Sequence, residues 1–254
     1  MRKRFGQHFL APAWADKVVR AIAPSRDERF LEIGPGPGAL TLRLAPRVEH
    51  LTAIEIDRDL AAALQPQLPP HAEIVVGDIL DVDFAPFLAA GPLRVAGNLP
   101  YNIATPLLKR FIEHRDHIQD VTVMVQKEVA ERLIAEPSTR EYGPLSVLVQ
   151  YYAVVKYGFT VARGSFKPPP KVESAVIRLE WKPDVPDARQ FTDFVHHAFG
   201  SRRKKLVNNL TGMFGSLTRD QIHKSIVDAG IPENARPEDL SVSDFLRVYN
   251  LLKT

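Results

Sequence analysis

Residues 30–44 read Phe-Leu-Glu-Ile-Gly-Pro-Gly-Pro-Gly-Ala-Leu-Thr-Leu-Arg-Leu. Phe30 to Ile33, apolar but for Glu32, read as a short strand, Gly34 to Gly38 break it with G-x-G-x-G spacing, and Ala39 to Leu44 open a helix. Glycine reaches positive φ without strain and lets the backbone approach a ligand closely. A strand, a glycine loop and a helix in that order make a corner suited to a nucleotide-like ligand.

The same alternation recurs on both sides of this corner. Pro12 to Ala23 has Trp14, Val18, Val19 and Ile22 at helical spacing, with Pro12 near the first turn. Strands are expected at 51–56, 73–76, 93–96 and 121–125, and helices at 59–64, 105–111 and 128–135. Leu145 to Tyr157, long and rich in β-branched residues, and the alternating Ser174 to Trp181 read as a closing antiparallel pair. This predicts an α/β fold, a Rossmann-like parallel sheet covered on both faces. Lys182 to Asp187 reads as a linker. Helical patterns follow at 191–199, 204–210, 219–229 and 244–252, so residues 183–254 are expected to form a small all-helical domain after a first domain over 1–182.

Composition narrows the function. The 254 residues are 45% hydrophobic and 25% charged, which is ordinary globular usage and disfavours disordered and membrane classes. There is no cysteine, which excludes disulfides, Cys-ligated zinc and a thiol nucleophile. No run of 18 apolar residues is present, and the basic start lacks the apolar stretch of a secretory signal, so a cytoplasmic protein is expected. The net charge of +3 is unevenly spread: residues 1–20 and 156–182 each carry a local excess of +4. Two basic patches on an acidic remainder suit an anionic partner such as nucleic acid.

In an open parallel sheet, ligands bind beyond the carboxyl ends of the strands. Those ends carry Gly34 to Gly38, Glu55, Asp78 and Asn98. Glu55 closes the second strand, where a carboxylate can accept both hydroxyls of a ribose, and Asp78 closes the third, where it can accept from an adenine amino group. NAD and S-adenosylmethionine both fit such an arrangement. The third glycine comes one residue earlier than in the dinucleotide fingerprint, with Pro37 before it, which favours S-adenosylmethionine.

Asn98-Leu-Pro-Tyr101 follows the fourth strand. Its chemistry suits methyl transfer to an exocyclic amino group, whose lone pair is delocalised into the base. Hydrogen bonds from the amino group to the Asn98 side-chain oxygen and the Leu99 carbonyl would localise that pair. Pro100 stiffens the loop, and Tyr101 offers a stacking face. Neither Asn98 nor Tyr101 is a base at neutral pH, so their roles are polarising and positioning.

These motifs, with Arg4-Phe-Gly-Gln-His-Phe-Leu10, Gln126-Lys-Glu128, Phe166-Lys-Pro-Pro-Pro-Lys-Val172 and Ser201-Arg-Arg-Lys-Lys205, give a resemblance spanning nearly the whole chain. It resembles the ribosomal RNA adenine dimethyltransferases, in particular the bacterial small-subunit (16S) branch linked to kasugamycin sensitivity. The resemblance implies S-adenosylmethionine as donor, no metal, and two adjacent adenosines near the 3′ end of 16S rRNA, each methylated twice at N6. It implies that His8 and Leu10 help close the cofactor pocket and that Gly34, with Gly36, meets the methionine portion. Glu55 would meet the ribose and Asp78 the adenine, with Ile56 and Ile79 beside them. Asn98 and Leu99 would lie between cofactor and target, and Phe166 would stack the flipped adenine opposite Tyr101. The family more often has Asn where this chain has His8.

Arg202, Arg203, Lys204 and Lys205 are expected to meet RNA phosphate: if Ser201 caps a helix, four cations crowd its first turn against the helix dipole, and a polyanion would relieve them. His196 and His197 lack acidic neighbours at ligand spacing and read as structural. Three alternatives stand beside the 16S reading. The large-subunit macrolide-resistance enzymes carry Asn-Ile-Pro-Tyr, against which Leu99 counts. DNA adenine methyltransferases carry Asn-Pro-Pro-Tyr or Asp-Pro-Pro-Tyr. A non-catalytic nucleic-acid binder on the same fold would not need Glu55, Asp78 and Asn98 together. A monomer is expected.

Overall fold

The computed structural model describes residues 8–100, 103–185, 189–201, 203–215 and 217–253. Its backbone divides into two compact units. One runs up to Ala130 and resumes over Val155–Trp181; the other is Glu131–Val154 with the chain from Lys182 onward. The sequence pattern sets the boundary at residue 182, whereas residues 131–154 group with the C-terminal helices.

In chain order the elements are β1 (Phe9–Leu10), α1 (Pro12–Ile22), β2 (Arg29–Ile33), α2 (Thr41–Leu44), β3 (His50–Glu55), α3 (Arg58–Leu64), β4 (Ala72–Val76), α4 (Ala85–Leu88), β5 (Leu93–Asn98), α5 (Ala104–Glu113), β6 (Ile118–Gln126) and α6 (Lys127–Ile134). Then come α7 (Pro144–Tyr152), β7 (Ala153–Val161), β8 (Phe166–Lys167) and β9 (Ser174–Trp181). The helices α8 (Arg189–Ala198), α9 (Leu206–Leu210), α10 (Arg219–Asp228) and α11 (Val242–Leu252) complete the chain.

Seven strands form one sheet in the order β4-β3-β2-β5-β6-β9-β7. The first five run parallel, and β9 is antiparallel to β6. β2 pairs with β3 on one side and β5 on the other. Strand order reverses there, which opens a crevice at the carboxyl ends. Register brings those ends level: Ile33 faces Ile54 and Gly97, Glu55 faces Val76, and Asn98 faces Met124. A separate two-stranded ribbon pairs β1 with β8, setting Leu10 opposite Phe166.

Local chemistry explains the elements. α1 starts with proline at its first position and buries Ala15, Val18, Val19 and Ile22 on one stripe. α3 is capped by Asp57, whose carboxylate accepts from the Asp59 and Leu60 amides. At the end of the sheet away from the crevice, buried Arg94 donates to the Ile22 carbonyl at 2.7 Å, to Glu28 at 2.7 Å and to Asp120 at 3.1 Å. It thereby satisfies the carboxyl end of α1 and pins that helix to the sheet. In the second unit, Phe191, Phe194 and Phe245 are fully covered, and the Tyr142 hydroxyl donates to the Leu240 carbonyl at 2.7 Å.

Three expectations are corrected. Leu145 to Tyr157 is not one strand: residues 144–152 are helix α7, and β7 begins only at Ala153. Pro144 occupies the first helical position, and the Ser146 hydroxyl oxygen accepts from the Gly143 amide at 3.1 Å, a start signal that outweighs the β-branched composition. The helix after the glycine loop begins at Thr41 rather than Ala39. Ser201 does not cap a helix. α9 starts at Leu206, so Arg203, Lys204 and Lys205 precede it and do not crowd its first turn.

Candidate functional site

A cavity of about 540 Å³ opens at the crevice. Its size and mixed lining are those of a small-molecule site. The first unit supplies the whole lining, and the sequence-predicted residues His8, Leu10, Gly34, Gly36, Glu55, Ile56, Asp78, Ile79, Asn98 and Leu99 are all on it. Phe9, Ile54 and Ile103 also line it, and sequence reasoning assigns them no role. Phe9 and Ile54 lie within motifs that carry the resemblance, the latter in Ile54-Glu-Ile-Asp57; Ile103 gives no signal beyond an ordinary apolar residue.

The glycine loop takes its shape from two sources. Gly34 and Gly36 stand at φ of 64° and 55°, a region costly to any residue with a Cβ. A Cβ on Gly36 would lie 3.3 Å from the Phe9 ring. Glu55 is the second source. It is buried at the end of β3, and its carboxylate accepts from the Gly36 amide at 2.9 Å and from the Asp57 amide at 3.0 Å. One carboxylate thus ties the loop after β2 to the start of α3, with lone pairs left for a polyol. Asp78 follows β4, where its carboxylate accepts from the Leu80 amide at 2.9 Å and shapes the turn carrying Ile79.

Glu32 stands one residue before the end of β2, is 1% exposed, and lines the same cavity. Burial pushes its carboxyl up to about 8, Thr41 opposes the rise, and the nearby Glu55 charge adds to it. One of its oxygens, Oε2, is buried with no hydrogen-bond partner. A buried carboxyl oxygen without a partner is costly when ionised, which agrees with a carboxyl that keeps its proton.

Asn98 ends β5. Its side-chain Nδ2 donates to the His8 backbone carbonyl at 3.1 Å. A carbonyl only accepts, so the amide nitrogen must face it, and the amide oxygen is left to accept elsewhere. The next residue, Leu99, is buried, and its amide donates to the Met124 carbonyl at 2.9 Å. His8 is itself held: its Nδ1 lies 2.8 Å from the Pro168 carbonyl, where it acts as the donor. The segment before β1 and the loop after β8 are therefore joined at the cavity rim.

Phe166 is 5% exposed and pairs in register with Leu10, but it is not part of the cavity lining. Tyr101 and Arg202 lie outside the described residues. Arg203, Lys204 and Lys205 are exposed in the second unit. They line a shallow depression of about 670 Å³ with Asn208, Asn234, Arg236, Glu238 and Asp239. Among the described residues, no helix is long and apolar enough to cross a membrane.

The ribosomal RNA adenine dimethylase family matches the chain over residues 1–254. The chain is 46% identical to the ribosomal RNA small subunit methyltransferase A of Acinetobacter baylyi, over 96% of this chain and 90% of that protein. Among solved structures, a dimethyladenosine transferase from Plasmodium falciparum has the same fold, with TM-score 0.83 and 24% identity over 95% of this chain and 96% of that one. The 23S rRNA methyltransferase ErmE has TM-score 0.74 and 26% identity, over 97% and 100% of the two chains.

Proposed function

The chain belongs to the ribosomal RNA adenine dimethylase family, and on that premise we propose that it transfers methyl groups from S-adenosylmethionine to N6 of two adjacent adenosines in a hairpin loop near the 3′ end of 16S rRNA. The product is N6,N6-dimethyladenosine at both positions. The observation that carries the reading is the convergence of Glu55, Asp78 and Asn98 on one cavity from the ends of β3, β4 and β5. The 46% identity to a small-subunit enzyme, against 26% to ErmE, supports the small-subunit substrate over the large-subunit alternative.

The cavity suits the donor on its own chemistry. Glu55 presents a fixed carboxylate to the ribose hydroxyls, and Asp78 and the Ile79 turn face the adenine. When bound, the donor supplies an electrophilic methyl group on a sulfonium. The chain's residues act on the acceptor. The adenine leaves its stack to reach the site. The Asn98 amide oxygen and the Leu99 carbonyl accept from its amino group and localise the nitrogen lone pair, while the fixed loop holds that nitrogen in line. No strong base is needed, because the alkylated nitrogen sheds its proton readily. Tyr101 supplies a stacking face for the flipped base, and Phe166, buried and paired with Leu10, forms the opposite wall only once its ring turns outward.

Residues 1–182 carry the cofactor site. Residues 183–254, with Arg202, Arg203, Lys204 and Lys205, contribute RNA-phosphate contacts. The protein works as a cytoplasmic monomer on the small subunit or its precursor, in ribosome biogenesis. The test is transfer of labelled methyl from S-adenosylmethionine to undermethylated small subunits, naked large-subunit RNA and duplex DNA. Label in the small subunit alone is expected. Label in large-subunit RNA moves the protein to the resistance branch. Tight RNA binding without label makes it a non-catalytic binder.

A further inference from the structure

α5 leaves the Asn98–Ile103 segment and carries Arg110 near its end. The Arg110 guanidinium reaches the segment after β4. One nitrogen donates to the Ile79 carbonyl and another to the Val82 carbonyl at 2.7 Å, and the group lies 4.1 Å from the centre of the Phe84 ring. His114, one turn further on, sets its ring 5.3 Å from the same Phe84, which is 1% exposed. A single half-buried side chain thus holds the turn from Asp78 to Phe84 by two carbonyls and one ring, while the Asp78 and Ile79 side of that turn lines the cavity.

We infer that Arg110 is a positioning residue for cofactor binding: it fixes the Asp78–Val82 turn against α5 and so sets the affinity for the adenosyl portion. The inference rests on the reading of the cavity as the S-adenosylmethionine site. Two physical points support it. The planar guanidinium fork reaches two carbonyls at once while stacking on a ring, which a lysine ammonium cannot reproduce. And α5, starting at Ala104, is the next helix in the chain after Asn98 and Leu99, so the helix that follows the target-base acceptors is the helix that holds the adenosyl turn. Arg110 makes no contact with the cavity itself, and it acts through Ile79 and Val82.

The experiment is calorimetric titration of S-adenosylhomocysteine into the full chain and into Arg110→Lys and Phe84→Leu, with thermal melts and RNA affinity measured alongside. Arg110→Lys is expected to raise the dissociation constant roughly tenfold, the size of a lost charge-assisted hydrogen bond. The KM for S-adenosylmethionine should rise by the same factor, with kcat at saturation and RNA affinity within about twofold of the parent. Phe84→Leu keeps both hydrogen bonds and should weaken binding in the same direction but less. An unchanged dissociation constant in Arg110→Lys with a lowered melting temperature overturns the inference, since the residue then only holds the fold. A fall in kcat without a change in affinity overturns it too. Absence of binding by the parent chain overturns the cavity reading itself and the inference with it.

Discussion

The Asn98 side chain donates to the backbone carbonyl of His8 across 3.1 Å. Because that partner is a main-chain carbonyl, it fixes which end of the amide faces the site, and no side-chain substitution at His8 removes it. Asn98→Ala should keep most of its RNA affinity and lose methyl transfer by about two to three orders of magnitude, the usual cost of one preorganised hydrogen-bonding group. Asn98→Asp sets a carboxylate against the His8 carbonyl and should be no better. Single-turnover methyl transfer measures this, and near-normal rates in Asn98→Ala refute the polarising role.

Glu32 gives a pH signature. Its folded-state value near 8 lies above the ordinary 4.5, so the folded chain holds a proton that the unfolded chain releases. Stability from this group is therefore full below about 4.5 and is lost as pH rises to about 8, with a slope of at most about 1.4 kcal/mol per pH unit. Glu32→Gln should flatten that decline. Denaturant unfolding from pH 5 to 8 tests it, and parallel curves for the two proteins would count against the buried proton.

Arg203, Lys204 and Lys205 precede α9 on an exposed surface. Neutralising them together with Arg202 should weaken RNA binding and make its salt dependence shallower by about 3 in log–log slope, because fewer counterions are released. An unchanged slope returns the cluster to ordinary surface.

Gly36 combines a φ of 55° with a Cβ position 3.3 Å from the Phe9 ring. Gly36→Ala should cost about 1–3 kcal/mol in backbone strain and displace the Phe9 ring, which lines the cavity. Cofactor affinity measured by titration should fall more than the thermal melt alone would suggest. Equal losses in both would mean that the loop matters only for folding.

Much of the fold and the site is legible in the sequence. The glycine loop, Glu55, Asp78 and Asn98 announce themselves because each ends an apolar run, and a parallel sheet gathers such ends on one edge. Residues 144–152 mislead because Val147, Val149 and the tyrosines favour strands in isolation, while the helix start at Pro144 and Ser146 is a local signal that burial reinforces. The β1–β8 ribbon is invisible: two-residue strands have no period, and their pairing is set by tertiary contact. Arg110 gives no sign either, since a cation on an amphipathic helix looks like solvated surface until the turn that it clamps is in place. The capping role expected of Ser201 fails for a related reason. A basic run next to a helix does not show from its sequence on which residue the helix begins.

Dimethylation of two neighbouring adenosines is tested most directly by mass spectrometry of nucleosides and fragments from small-subunit RNA after reaction with S-adenosylmethionine. The expected product is N6,N6-dimethyladenosine at two adjacent positions near the 3′ end, appearing with the wild-type chain and not with Asn98→Ala. Methyl groups found on another base, at a single adenosine only, or in equal amount with Asn98→Ala would contradict it.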